Sequence, residues 1–438
     1  MRYDSNNHAF RCYNSVSSQP VYLYEKVPTF TKDIVGHGES SGWYLIASPL
    51  DGVVEVDKVT HMKDNSFDLY RFNQAAENEW ENWKSQENNN GHYHFALEPG
   101  RGYLYANSED VTLTFIGKPY NGDGVVTLSK TNGADFAGWN LVGNPFAETA
   151  YIQDDHSFYT MNNDGSSLVP STSTSIEAME GIFVLADEDG EELTFSTTDP
   201  ETSNGKGLLS INVMEASDHR DGNSLIDRAI VRFDEGRQLP KFQLRKNSTK
   251  VYIPQGNMDY AIVSVGRDVA RYVSTGVNEM PVNFKAEKDG TYALNFNSEN
   301  VDFDYLHLID NMTGADVDLL ATNGGDAMKC KFDGVNRVST YTFEAKTTDY
   351  ESRFKLVFVS IGEDANGDNE TFAFYSNGNW IIANEGEATL QVIDVTGHIL
   401  SSETINGSVS KSINAAPGVY MIRLINGGNV KVQKVVIK

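Results

Sequence analysis

The stretch 42-GWYLIASPL-50 returns 96 residues later as 138-GWNLVGNPF-146, keeping Gly, Trp, Leu and Pro. Three further pairs follow in the same order: 68-DLYRFN-73 with 157-SFYTMN-162, 97-LEPGRGYL-104 with 176-IEAMEGIF-183, and 113-LTF-115 with 193-LTF-195, at offsets of 89, 79 and 80 residues. A catalytic motif is rarely written twice in one chain, whereas a building block is, so ordered self-similarity on this scale marks a tandem duplication, here over about 33 to 199. The second copy is shorter mainly because it lacks the segment 79-EWENWKSQENNNGHYH-94.

The periodicity identifies the block. Trp43, Leu45 and Ala47 alternate with Tyr44 and Ile46, as the two faces of a strand require, and Trp139, Leu141 and Gly143 repeat the large-large-small order. Pro49 and Pro145 close each strand because proline cannot donate to a ladder. Trp43 and Trp139 are expected in equivalent, buried places between sheets.

Short β-branched and aromatic runs between N-G, D-G and G-D turns recur along the whole chain, and only 73-NQAAENEWENWK-84 has helical spacing. The expected fold is all-β: tandem β-sandwich domains, the first built from the internal duplication, with a small C-terminal Ig-like sandwich. A chain of 438 residues exceeds one ordinary core. The plan is a tail of an upstream domain at 1–28, the duplicated module at 29–200, a β-sandwich at 201–362 and a C-terminal sandwich at 371–438. The stretch between, 362-GEDANGDNET-371, reads as a solvated linker; Asn369 replaces the glycine that a calcium loop of this spacing needs.

Thirty-five Lys and Arg against 61 Asp and Glu leave a net charge of −26, a field that repels nucleic acid and anionic membrane alike. No apolar run is long enough for a spanning helix, so membrane insertion is not expected. The polar opening 1-MRYDSNNHAF-10 is not a signal peptide, and the strand-like 10-FRCY-13 and 21-VYLYEK-26 have no partner upstream, so the chain is expected to be a fragment. Cys12 and Cys330 make no disulfide framework.

Residues 371–438 hold five Lys/Arg and four Asp/Glu, a balance of +1, so the remainder carries −27. The order D-V-T-G at 394–397, P-G-V-Y at 417–420 and the closing K-V-Q-K-V-V-I-K resembles the type IX (Por) secretion C-terminal sorting domain. Asp394, Gly397, Pro417, Gly418, Tyr420, Lys434 and Lys438 carry the likeness. It implies export through the outer-membrane secretion machinery, and a protein that is secreted or attached at the outer-membrane surface. His398 stands where that family usually has Arg or Lys, and 376-SNGN-379 replaces its opening Asn-Pro, which leaves a purely structural cap as the alternative. Gly397 and Gly418 are expected where turns need permissive backbone. The repeat, best in 139-WNLVGNP-145, is similar to a paired module found beside such domains. The middle block, with 228-RAIVRF-233 and 351-ESRFKLVF-358, resembles another module near the end of these proteins, and residues 1–28 resemble the closing hairpin of a repeated surface-protein module. Together they point to a multidomain, adhesin-like surface protein of type IX-secreting Gram-negative bacteria and their relatives.

Catalytic chemistry finds no support. The match 38-GESSG-42 lacks the helix that a nucleophile elbow at Ser40 requires. His92 and His94 share a strand face without a third ligand, and 187-DEDGEE-192 reads as a turn rather than a cation site. No cofactor, no metal and no catalytic residue is expected. The ligand-binding candidates are Trp80, Trp83 and Tyr93, aromatic residues in a polar insertion that is confined to the first copy. At i, i+3 on a helical turn the two tryptophans would project together. The expected activity is non-catalytic adhesion to a glycan or to a surface protein of a host or neighbouring cell. The alternative is an accessory region of a larger secreted hydrolase.

Overall fold

Alternating apolar residues bounded by Gly, Asn and Pro favour strands, and the computed structural model is built from strands, with one short 3-10 turn at Val56–Lys58 among the described residues. It describes residues 2–4, 9–11, 26–36, 41–63, 66–84, 86–87, 91–92, 94–200, 207–215, 225–234, 236–265, 279–301, 303–320, 337–360, 372–376, 378–384, 386–413 and 415–437. Arg2–Asp4 and Ala9–Arg11 form a hairpin, while most of the expected strand at 21–26 lies outside the described residues.

Two units of one design occupy residues 29–196. The four-stranded sheet of the first runs Tyr44–Ala47, Gly102–Asn107, Phe67–Phe72, Trp80–Asn82. That of the second runs Trp139–Gly143, Gly181–Leu185, Phe158–Met161, Leu168–Ser171, the same order strand for strand. Opposite it, Val111–Ile116 pairs with Thr29–Ile34 as Glu192–Ser196 pairs with Val125–Thr127. Even the isolated bridge Val54–Leu97 has its counterpart in Ala150–Ile176.

The two faces of each repeated strand do different work. Ile46 lies in the first unit's own core with Phe67, Tyr103, Tyr105 and Phe115, and Val142 lies in the second unit's core with Phe158, Ile182 and Phe195. Trp43, Leu45, Trp139 and Leu141 face the other way. They join Phe72, Phe183 and the middle domain's Ile230, Phe242 and Ile262 in one cluster between the units. The expectation that both tryptophans pack alike inside a sandwich is therefore corrected. Trp139 is 7% exposed and stacks on Phe242 at 4.5 Å, whereas Trp43 is half-buried with its ring edge-on to Tyr70 at 5.8 Å. One middle domain can cover only one of two equivalent faces.

Each unit also clasps the other's Gly-Trp strand. Gln74, at the turn after Phe67–Phe72, is buried, donates to the carbonyls of Ser129 and Trp139 and accepts from the amides of Thr131 and Gly138. In return the amides of Gly42 and Trp43 donate to the carbonyls of Asp164 and Gly165, in the turn after Phe158–Met161. The Gln74 turn and the strand Trp80–Asn82 replace the helical turn anticipated over 73–84: segments this short gain more from a sheet edge than from an uncapped helix.

The middle domain is one eleven-stranded sheet, from Ala315–Asp318 at one edge to Arg337–Ala345 at the other, coiled so that both ends feed one sandwich-like core. Leu306 and Leu308 from one end meet Phe343 and Phe296 from the other. Leu225–Arg232 and Met258–Ser264 run parallel. The buried charges are paired: Arg353 grips both carboxylate oxygens of Asp310 at 3.1 and 2.8 Å, and Lys241 lies 2.6 Å from Asp227.

Against the second unit, Arg237 donates to Glu191 and to Asp187, and Arg232 bridges Asp155 and Asp234. Two acids of the 187–192 turn are thus engaged by an arginine of the next domain.

Residues 372–437 form a sandwich of three strands, Ala373–Ser376, Asn379–Ile382 and Val409–Lys411, over four in the order Ile399–Asn406, Glu387–Asp394, Gly418–Asn426, Asn429–Ile437. Its core centres on Trp380, 0% exposed, with Tyr420 edge-on at 5.3 Å and Leu390, Ile422 and Ile437 around them. The opposite side of the three-stranded sheet, Phe374, Ile381 and Ala383, packs on Ile309 and Val357 of the middle domain.

Candidate functional site

Strand alternation determines where the insertion's aromatics go. On a strand, residues three apart point to opposite faces. Trp80 accordingly turns to the cluster between the units, with Phe72 at 5.2 Å and Phe183 at 5.7 Å. Trp83 turns to the first unit's own core, with its indole N–H donating to the Phe95 carbonyl at 3.0 Å and its ring 5.9 Å from Phe67. Both are half-buried. The platform of two parallel tryptophans expected from helical spacing is corrected: Trp80, on the strand Trp80–Asn82, and Trp83, in the turn that follows it, face opposite sides. Tyr93 lies outside the described residues, as does Ser40. The exposed member of the group is His94, which stacks on Trp83 at 4.6 Å with 17° between the planes. Lys84, next to Trp83 in the chain, is bridged to Asp68 at 3.1 Å and lies 5.1 Å over the Phe67 ring, which Trp83 also approaches.

In the C-terminal sandwich the motif residues build a turn and a crossover. Asp394 ends its strand, and its Oδ1 accepts from the Thr396 amide, the Thr396 hydroxyl and the His398 amide. The Thr396 and His398 bonds hold its carboxyl below the ordinary range. Gly397 takes φ +84°, a conformation that side chains resist, so glycine is required there. His398 completes the turn through its backbone while its side chain is exposed, which is why this position tolerates a change from Arg or Lys. Ser376 pairs with Asn379, and Gly378 between them takes φ +83°.

Tyr420, 7% exposed, donates its hydroxyl to the Ala416 carbonyl at 2.7 Å and so ties the crossover at exposed Pro417 to the core. Gly418 is corrected: it begins a strand opposite Ile437, and a Cβ there would meet nothing nearer than 3.7 Å, so no turn demands it. Lys434 is exposed opposite Met421, and Lys438 lies outside the described residues.

The motif reading missed Gln433. Its side-chain oxygen accepts from the Phe372 and Ala373 amides and its amide donates to the Ala373 carbonyl, closing the sandwich between its last and first strands. Gln433 is in phase with inward-facing Val435 and Ile437, but alternation alone does not say what it meets there.

Residues 376–438 match the family described as "Secretion system C-terminal sorting domain". The chain therefore ends in a type IX sorting domain and is a secreted or cell-surface protein whose partners include the secretion machinery. No curated protein sequence matches the chain. A solved structure named "Biofilm associated protein - BSP domain" is 9% identical, with 94% of this chain and 63% of that one covered. Its TM-score of 0.15 is too slight a likeness to bear on fold or function, and this chain spans less than two thirds of its length.

Proposed function

We propose that the chain is a non-catalytic binding protein of the cell surface or its surroundings, recognising glycan or protein through its strand-built body and exported on its C-terminal sandwich. The match of residues 376–438 carries the export half. Support for the binding half is the Trp83–His94 stack, a ring pair beside Lys84 and Asp68 in the segment that distinguishes the first unit from the second. A flat ring beside charged hydrogen-bonding groups suits the apolar face and hydroxyl rim of a sugar.

Probing glycan arrays and a panel of extracellular-matrix proteins with the full chain tests this. A hit is expected, and His94→Ala, which leaves the Trp83 core contacts in place, should weaken it by about 1–2 kcal/mol. Absence of any hit, or a hit indifferent to both His94→Ala and Lys84→Ala, would remove this site.

A second role, as a fixed cap, is favoured by the packing of Phe374, Ile381 and Ala383 on Ile309 and Val357. The C-terminal sandwich sits on the body through apolar surface instead of hanging free from its linker.

A further inference from the structure

The C-terminal sandwich has two outer faces. That of its three-stranded sheet is occupied by the body of the same chain, through Phe374 and Ile381 on Ile309 and Val357. That of its four-stranded sheet has no covering element among the described residues, and its composition is unusual for a solvent face. On the last strand Val430, Val432 and Val436 point outward and are 54, 52 and 54% exposed. Arg423 lies directly between Val432 on one side and Gln391 on the other. Although the face is open, the Arg423 Nε and the Gln391 Oε1 are screened from water and lack hydrogen-bond partners. A sheet with one face in the core usually turns polar residues to the face that meets water. Here the last strand instead sets three valines outward, with Lys434 among them, beside Arg423, whose Nε is unsatisfied.

We propose that this face, centred on Arg423 and Val432, is the surface through which the sorting domain meets its receptor in the export machinery. The receptor would present an apolar patch with a carboxylate placed for Arg423. The inference rests on the sorting reading given above and specifies which side of the domain is read. Two observations select this side. The alternative face is already buried in cis, so a receptor could use it only by first undocking the domain. The charge is also of the right sign: the body carries −27, whereas this face presents Arg423 and Lys434, so an acidic receptor engages the domain while the body is repelled.

The test uses the full chain in a type IX-competent host, with delivery to the surface or medium measured by fractionation and immunoblot. Deleting residues 372–438 tests the sorting reading, and Arg423→Glu and Val432→Lys test the face. Val53→Lys, in the first unit of the body and 66% exposed, is the control. Expected are no delivery for the deletion, a loss of about tenfold for each face variant, and normal delivery for the control. Purified Arg423→Glu and Val432→Lys should melt with the parent, since neither side chain enters the core. A blocked deletion with normally delivered face variants would overturn the proposal and leave the sorting reading standing. Delivery of the deletion itself would overturn both.

Discussion

Ala47 and Gly143 hold the same position in the two copies of the repeat, and they meet: a Cβ built on Gly143 would lie 2.3 Å from that of Ala47. The contact lies on an approximate two-fold axis. The Ala47 amide donates to the Met179 carbonyl at 3.1 Å and the Gly143 amide to the Gly100 carbonyl at 3.0 Å, while Ile46 bridges Glu180 and Val142 bridges Arg101. Gly100 and Met179, equivalent in sequence, both adopt positive φ there. The small third residue of the large-large-small pattern is what lets the two units approach this closely.

Gly143→Val should therefore destabilise the module by about 1–3 kcal/mol through overpacking, read as a lowered urea midpoint in tryptophan fluorescence. The exchange Ala47→Gly with Gly143→Ala preserves the total volume and should recover most of the loss. Parent-like stability in Gly143→Val would mean that the axis is not a tight contact.

Gln74 makes four hydrogen bonds to the partner unit's backbone from a buried position. Gln74→Ala strands two amide donors and two carbonyls, and should cost about 2–3 kcal/mol. Hydrogen exchange at Gly138 and Thr131 should accelerate more than exchange in the first unit's own core. Uniform acceleration would show that the residue acts on global stability alone.

The duplication was legible because strand order follows chain order within each unit, so matched segments became matched strands. What covers each face was not. Alternation groups Trp43 with Leu45 and Ala47, but both faces of that strand are apolar, and which one meets the neighbouring unit depends on residues such as Phe242, nearly 200 positions away. The insertion was misread for a related reason. Three-residue spacing gathers Trp80 and Trp83 on a helix and separates them on a strand, and two residues are too few to reveal the period. In the C-terminal domain the turn glycine at 397 was legible from its motif. Gln433 was not, because a partner strand 60 residues away gives it its purpose.

Trp83→Ala should now be a stability variant. Its ring contacts Phe67 and its indole N–H is bonded to Phe95, so removal should cost about 2–4 kcal/mol, somewhat under the loss for a fully buried tryptophan. Trp80→Ala instead removes contacts to Phe72 and Phe183, and should loosen one unit against the other. Thermal melts that leave Trp83→Ala unchanged would return that ring to the surface.

Acid sensitivity follows from Asp310. Burial alone would raise its carboxyl, but the bonds from Arg353 and the Met312 amide outweigh burial and hold it below the usual carboxylate range. Glu351, bonded to Tyr252 and Lys285, is lowered in the same way against its own burial. A folded-state value below the unfolded one means stability that is complete above the unfolded value and is lost as pH falls through it, from about pH 4 downward. Urea midpoints should be level near neutrality with respect to these groups and fall in acid. Asp310→Asn should be weaker at neutral pH and show a shallower acid limb; an unchanged limb would exclude Asp310 as a contributor.

Gln433 ties the final strand to the first strand of the C-terminal sandwich with three side-chain bonds, two to the Phe372 and Ala373 amides and one to the Ala373 carbonyl. Among the described residues Ala373–Ser376 is hydrogen-bonded as a strand only to Asn379–Ile382, so on its other side this glutamine supplies the pairing that a neighbouring strand would give. Gln433→Ala leaves those backbone groups unsatisfied beside the core residues Phe372 and Trp380 and should cost the domain about 2 kcal/mol. The consequence should be local. Limited proteolysis of the full chain should release the C-terminal sandwich faster, while the duplicated module, joined to the middle domain by its own core and ion pairs, keeps its melting transition. Gln433→Glu separates the two halves of the contact: it retains the acceptor for both amides but loses the donor to Ala373 and sets a carboxylate against that carbonyl. It should fall between the parent and Gln433→Ala in protease resistance, and resistance equal to the parent in both variants would show that the sandwich closes without this residue.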